Sequence, residues 1–268
     1  MLRRGSRYFV LAFASLLAWL PMGQSLAQTG TKSWFLTATH AEDRAADIDT
    51  SSFSVAYYLQ PQDYNGVWDW FGYIDTDSQI GFSVEEDDSD RTTGVGGEFF
   101  ITQDAFINLA LPDMDDTDQF SLGVGYVFFD QLKVSITHDR NATSTTTLLA
   151  EHEIMLGDID YVGYTVQVSD QPNTWLVASR YFTDIGAKHF VSFDISHESA
   201  EGDDGAERTT AGIARYYFGP HVAMGVGAAN SDPIFETKLF FSDTVYLEAA
   251  ISKTDEGNLS YLELNLQF

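Results

Sequence analysis

Twelve charged side chains interleaved with apolar residues are the groups through which this chain could do chemistry. Glu98, Asp139, Glu151, Glu153, Asp194, Glu236, Glu248 and Glu263 are the acids, and Lys133, Arg180, Arg215 and Lys238 are the bases. Each lies in a run where apolar residues recur at every second position, the spacing of an extended strand whose successive side chains point to opposite faces. The charges should therefore share one face and the apolar residues the other. A watery space walled by eight acids and four bases is net negative, so it attracts cations and repels anions. Glu236, Glu248 and Glu263 fall on the last three such runs and would form an acidic strip. Lys133, Arg180 and Arg215 fall on other runs, which would set a field across the space between. The alternative is that these charges pair with one another and fill an interior.

Strands must hold them. Phe53-Val55-Tyr57-Leu59, Phe120-Leu122-Val124-Tyr126-Phe128 and Val245-Leu247-Ala249-Ile251 alternate with small or polar residues, the period-two pattern of strands with two unlike faces. Extended segments are expected at 33–40, 51–60, 78–86, 91–101, 105–112, 117–129, 131–140 and 146–156. In the second half they fall at 158–169, 174–184, 188–199, 207–218, 221–230, 233–241, 245–254 and 257–268. The count is about sixteen, with about fourteen to eighteen allowed, and an even number returns both ends to one side of a closed barrel. Around 148–156 a helix competes with the strand. Gly66 to Ile74 does not alternate and reads as a turn or an aromatic interfacial segment between the second and third strands. Tight connections such as Thr102-Gln103-Asp104 and Ile185-Gly186-Ala187 alternate with polar, acidic ones at 85–91, 112–118, 140–145, 169–174, 199–207 and 253–258. Short turns on one side and polar loops on the other are the pattern of a bacterial membrane barrel.

The final strand is the most informative. Leu262, Leu264, Leu266 and Phe268 point one way, and Tyr261, Glu263, Asn265 and Gln267 the other. In a soluble sheet this half-apolar strand would be an open edge; in a barrel it closes on the first strand and shows its apolar face to lipid. At the other end Arg3, Arg4 and Arg7 precede an apolar run from Tyr8 to Leu20, then Pro21, Gly23 and the small-x-small site Ser25-Leu26-Ala27. That is an export signal over residues 1–27, too short to span a bilayer core, with a barrel domain over 28–268. The chain has no Cys, 20 Phe, 13 Tyr and 5 Trp. Its formal net charge is −26, and three units more negative without the leader's arginines, so nucleic acid is excluded as a partner.

Other chemistries are weaker. The acidic runs Glu85-Glu86-Asp87-Asp88-Ser89-Asp90, 113–118 and Glu201-Gly202-Asp203-Asp204 could bind Ca²⁺ or Mg²⁺ and so tie the protein to anionic lipopolysaccharide. They lack ordered ligand spacing, and plain solvation is the simpler reading; no metal or other cofactor is expected. Trp34, Tyr57, Tyr58, Tyr126, Phe128, Phe129, Trp175, Tyr181, Tyr216, Tyr217, Phe240, Phe241 and Phe268 read as interfacial girdles. Only Tyr58, Tyr246 and Tyr261 among the tyrosines are placed inward by alternation. His138, His152 and His197 are the candidates for lipid hydrolysis at a barrel rim, but Asp139 and Ser196 point away from their neighbouring histidines. No Gly-x-Ser-x-Gly or His-Glu-x-x-His motif occurs, so an enzyme is not expected. A soluble periplasmic β-sandwich would explain the leader and the strands, but not the terminal Phe268.

The leader, the acidic loops, the segment from Gly66 to Ser83 before an early strand and the terminal Phe268 together resemble the general porins of Gram-negative bacteria. The resemblance implies an all-β, antiparallel up-and-down barrel in the outer membrane, passing small hydrophilic solutes or ions by diffusion, and a homotrimer. It also implies that Leu262, Leu264, Leu266 and Phe268 are what the outer-membrane assembly machinery reads. One departure stands out: general porins fold a long third loop into the channel, and no loop here exceeds about a dozen residues. Whatever narrows this lumen should then come from wall side chains or the N-terminal segment.

Overall fold

The computed structural model describes residues 32–44, 48–62, 74–87, 90–140, 144–171, 173–202, 205–219, 221–242, 244–253 and 257–268. Residues 1–27, expected as an export leader, and the aromatic stretch from Gly66 to Tyr73 lie outside the described residues.

Sixteen strands make up the fold. They are β1 (Lys32–Asp43), β2 (Ile48–Gln62), β3 (Gln79–Glu86), β4 (Arg91–Phe100), β5 (Ala105–Leu111), β6 (Phe120–Phe128), β7 (Leu132–Arg140) and β8 (Thr145–Met155). Then come β9 (Tyr161–Ser169), β10 (Trp175–Gly186), β11 (His189–Gly202), β12 (Gly205–Tyr217), β13 (Val222–Ala229), β14 (Asp232–Phe240), β15 (Val245–Lys253) and β16 (Asn258–Gln267). Each pairs antiparallel with its sequence neighbours, and β1 closes on β16 from Phe35↔Gln267 to Asp43↔Leu259. The seam is extended by Phe268, whose carbonyl accepts from the Ser33 and Trp34 amides at 2.7 and 3.1 Å and whose amide donates to the Trp34 carbonyl at 2.9 Å. Closure leaves no strand edge unpaired, which is what a sheet surrounded by hydrocarbon requires.

The two faces differ as alternation demands. On β6, Leu122, Val124, Tyr126 and Phe128 are exposed on the outside, while Val127 is 2 % exposed on the inside. Ile136, Leu148, Val166, Val177, Phe193, Ile195, Val226, Phe235 and Ile251 continue this exposed apolar band around the barrel. The stretch around 148–156, ambiguous with a helix, is β8, and its Leu148 and Ile154 join the band.

Some boundaries differ from expectation for a physical reason. Residues 199–207 are not a loop: β11 runs to Gly202 and β12 starts at Gly205, with Gly202 opposite Gly205. Beyond the lipid both faces of a strand can be polar, so period-two alternation fades while the ladder continues. β6 starts at Phe120 rather than 117, because Asp116 caps its own loop, accepting from the Asp118 amide at 3.2 Å and the Gln119 side chain at 2.8 Å. The start of β1 at Lys32 and Phe268 just past β16 lie at one end of the barrel, the periplasmic end in such barrels. The opposite, outer end carries the acidic connections.

Candidate functional site

The cross-strand register decides what faces the interior. Directly opposed residues lie on the same face of the sheet, and Arg180↔Asp194, Gly225↔Glu236, Lys238↔Glu248 and Glu248↔Glu263 carry that face from β10 to β16. Lys133↔Glu151, Glu153↔Gly163 and Gly163↔Arg180 carry it through β7 to β10, and Gln79↔Glu98 sits on β3 and β4. Asp139 opposes Ser121, whose hydroxyl it accepts. All twelve charges thus occupy the face opposite the apolar band.

Six of them form one chain of ion pairs. Arg180 Nε lies 2.5 Å from Asp194 Oδ1, and Arg215 Nη1 bonds the other oxygen of Asp194. Arg215 also grips Glu236 with both ends of its fork, Nε at 2.6 Å and Nη2 at 2.8 Å, the bidentate geometry that makes arginine–carboxylate pairs strong. Lys238 lies 3.7 Å from Glu236 and 2.7 Å from Glu248. Arg215 on β12 reaches β14 because Gly225 stands between them; a Cβ there would lie 3.2 Å from Arg215 Cγ and from Glu236 Cβ. Beyond Glu248 the belt stays polar. Glu263 accepts from the Tyr261 hydroxyl and from Asn265 Nδ2, and Thr37 of β1 donates to Asn265 Oδ1 at 2.8 Å. The acidic strip anticipated on the last three strands is therefore interrupted by Lys238, and the pairing foreseen as the alternative is extensive.

A second cluster centres on Lys133, which is 9 % exposed. Its ammonium donates to Glu98 Oε1 and to the Asp75 carbonyl, each at 2.7 Å, and sits 4.9 Å from the centroid of the Phe106 ring. The Asp75 carboxylate accepts from the Tyr58 hydroxyl at 2.7 Å and from Gln79 Nε2 at 3.3 Å. Ile74 beside it is buried. So the described end of the β2–β3 connection, residues 74–78, points inward at Asp75, which is held from β2, β3 and β7. It does so at the periplasmic end, whereas the sequence pointed only to wall side chains or the N-terminal segment. Phe106 owes its place to Gly125 opposite, since a Cβ on Gly125 would collide with the ring. Gly125→Val should destabilise the barrel by about 1–3 kcal/mol through this overpacking, measured as a lower urea midpoint in detergent, whereas Gly81→Ala, where the nearest atom is 3.6 Å away, should change it little.

The same end holds an aromatic floor. Tyr161, Phe182, Phe190, Tyr217 and Phe240 are between 1 % and 5 % exposed and pack with Ala223 and Tyr246. Ring centroids lie 5.8 Å apart for Tyr161–Phe182, 5.6 Å for Phe182–Phe190 and 6.0 Å for Phe182–Tyr217. Tyr217 and Phe240, counted with the girdle, face inward instead, and Tyr58 faces inward as alternation placed it. The overlooked clue is the aromatic doublet. In Tyr57-Tyr58, Phe99-Phe100, Tyr181-Phe182, Tyr216-Tyr217 and Phe240-Phe241, one ring must face lipid and the next the interior. A cavity of about 490 Å³ also opens in the interior, lined in part by Glu151, Thr165, Arg180, Asp194, Arg215 and Glu236.

His138 Nδ1 meets Thr146 Oγ1 at 3.1 Å and His197 Nδ1 meets Thr210 Oγ1 at 2.7 Å, both on the lipid side. Among the described residues, no group of three or more His, Asp or Glu is placed to hold a metal ion.

Comparison with known proteins agrees with this geometry. No curated protein matches in sequence. The fold is shared with the Acinetobacter baumannii outer membrane protein Omp33, at a TM-score of 0.56 and 12 % identity over 90 % of this chain and 100 % of that one. A triple mutant of the Rhodopseudomonas blastica porin aligns at a TM-score of 0.52 and 9 % identity, covering 89 % of this chain and 99 % of its own. At such identities these likenesses concern the fold alone. The family described as "Putative general bacterial porin" matches residues 9–268, nearly the whole chain. The closed antiparallel barrel with its charged interior thus belongs to a general bacterial porin of the outer membrane.

Proposed function

We propose that this barrel is a diffusion channel for small hydrophilic solutes and ions, that its inward charges line the path, and that it prefers cations. The observation carrying the proposal is the charged inward face itself. Burying twelve ionisable groups would be costly in a dry interior, whereas groups beside a water-filled space keep much of their hydration. Eight acids against four bases leave an uncompensated negative charge after the ion-pair chain is counted, and a negative wall favours cations.

A second reading has its own observation. The aromatic floor and the paired charges favour a barrel that is closed at the periplasmic end and does not conduct. Recordings in planar bilayers under a KCl gradient separate the two. Stepwise conductance with a reversal potential of cation-selective sign is expected; an insulating bilayer with demonstrably inserted protein would establish the closed barrel, and anion selectivity would refute the electrostatic reading.

A further inference from the structure

On the lipid side near the outer end, one local arrangement occurs twice. On β6–β8, Leu122, His138 and Thr146 form a row, and the row above it pairs Phe120 with Arg140. On β10–β12, Val177, His197 and Thr210 form a row, and the row above aligns Trp175, Ser199 and Arg208. In each, the histidine Nδ1 engages the threonine hydroxyl. The threonine amide in turn donates at 2.8 Å to an Asx side chain from the next connection, Asp170 in one case and Asn230 in the other. An aromatic ring flanks a different member in each place: Arg140 Cζ lies 5.8 Å from the Phe120 centroid, and Trp175 lies 5.0 Å from the His197 ring. Both arginines are exposed. Below each pair of rows the outward residues are mostly apolar, Val124, Ile136 and Ile195 among them, so the arginines stand where hydrocarbon gives way to headgroups.

Outward arginines at that depth cannot serve the interior. They are also scarce, because the chain has 14 Lys and Arg against 40 Asp and Glu, three of the 14 in the leader. An arginine fork with a threonine hydroxyl and an imidazole beside an interfacial aromatic is suited to a phosphate monoester on a lipid. We propose that these two places bind the phosphorylated headgroup of the outer-leaflet lipopolysaccharide directly, without a bridging divalent ion. Another lipid-side histidine near the outer end marks the contrast. His40 also meets a hydroxyl, Ser51 at 3.0 Å, but the row above holds Glu42 and Asp49, and Arg44 is paired to Glu42 at 3.2 Å. Asp170 places a carboxylate near the Arg140 site, where Asn230 is neutral, so the Arg208 site should bind more tightly.

The test places the full barrel in phosphatidylcholine nanodiscs containing lipid A bisphosphate or its dephosphorylated form, in EDTA, with bound lipid counted by native mass spectrometry. Wild-type protein is expected to retain lipid A bisphosphate. Retention should fall at least tenfold for dephosphorylated lipid A and for Arg140→Gln/Arg208→Gln, with Arg208→Gln alone producing most of the loss. Millimolar inorganic phosphate should not displace the lipid, which separates a headgroup site from a free-anion site. Heat-modifiable gel migration checks that each variant is folded. If Arg140→Gln/Arg208→Gln fails that check, Arg140→Lys/Arg208→Lys, which keeps the charge and loses the fork, should still weaken retention. Equal retention by folded variants, or loss of wild-type binding in EDTA, would overturn the proposal; the latter would assign the lipid to the acidic loops and a divalent ion.

Discussion

Arg215→Met should lower the stability of the folded barrel by about 3–5 kcal/mol, the cost of removing one partner from a buried ion pair. The side chain is 13 % exposed and Glu236 only 5 %, so water does little to relieve the carboxylate left behind. Asp194 loses a partner as well but keeps Arg180. Urea unfolding in detergent reads the change. The companion Arg215→Met/Glu236→Gln should recover much of the loss, because it removes the stranded charge along with its partner. If the double variant is as unstable as the single one, packing rather than charge is what Arg215 supplies. The single variant should also move the reversal potential further toward cation selectivity, since the inward face loses one positive charge, with Asp194 left to Arg180 and Glu236 to Lys238 at 3.7 Å.

Phe182→Ala should have an effect of similar size on stability and a larger one on permeation. The ring is 2 % exposed and touches Tyr161, Phe190 and Tyr217, so truncation leaves a void costing about 3–5 kcal/mol. Because the void opens in the floor at the periplasmic end, conductance should rise severalfold. Tyr181→Ala supplies the control from the same strand. Its ring faces outward and stacks on Phe193 at 6.4 Å, and its removal should leave conductance unchanged. Equal conductance for wild type and Phe182→Ala would show that the floor does not limit flow.

The barrel was legible because alternation was strong where lipid enforces it. Phe120 to Phe128 and Val245 to Ile251 could be read as strands without ambiguity, and the sixteen segments follow from such runs. Legibility failed where lipid no longer selects. The β11–β12 hairpin runs on to Gly202 and Gly205 through residues such as Glu201 and Glu207, whose polarity resembles that of a loop. The inward parity of the charged residues could be read, but not their partners. That Arg215 passes over Gly225 to grip Glu236 depends on which strand lies beyond the neighbour, and no single strand carries that information. The bend at Asp75 was hidden for the same reason: Lys133 is 58 residues away in sequence, and only closure of the sheet brings it near. The floor, by contrast, could have been foreseen from aromatic doublets such as Tyr181-Phe182.

The inward bend at Asp75 enters from the periplasmic mouth, and its anchors Tyr58, Gln79 and Lys133 are strand residues at that same mouth. Surface-exposed segments at the far end contribute nothing to this anchorage. Substitutions in the connections at the outer end should therefore leave the packing at the inner mouth intact.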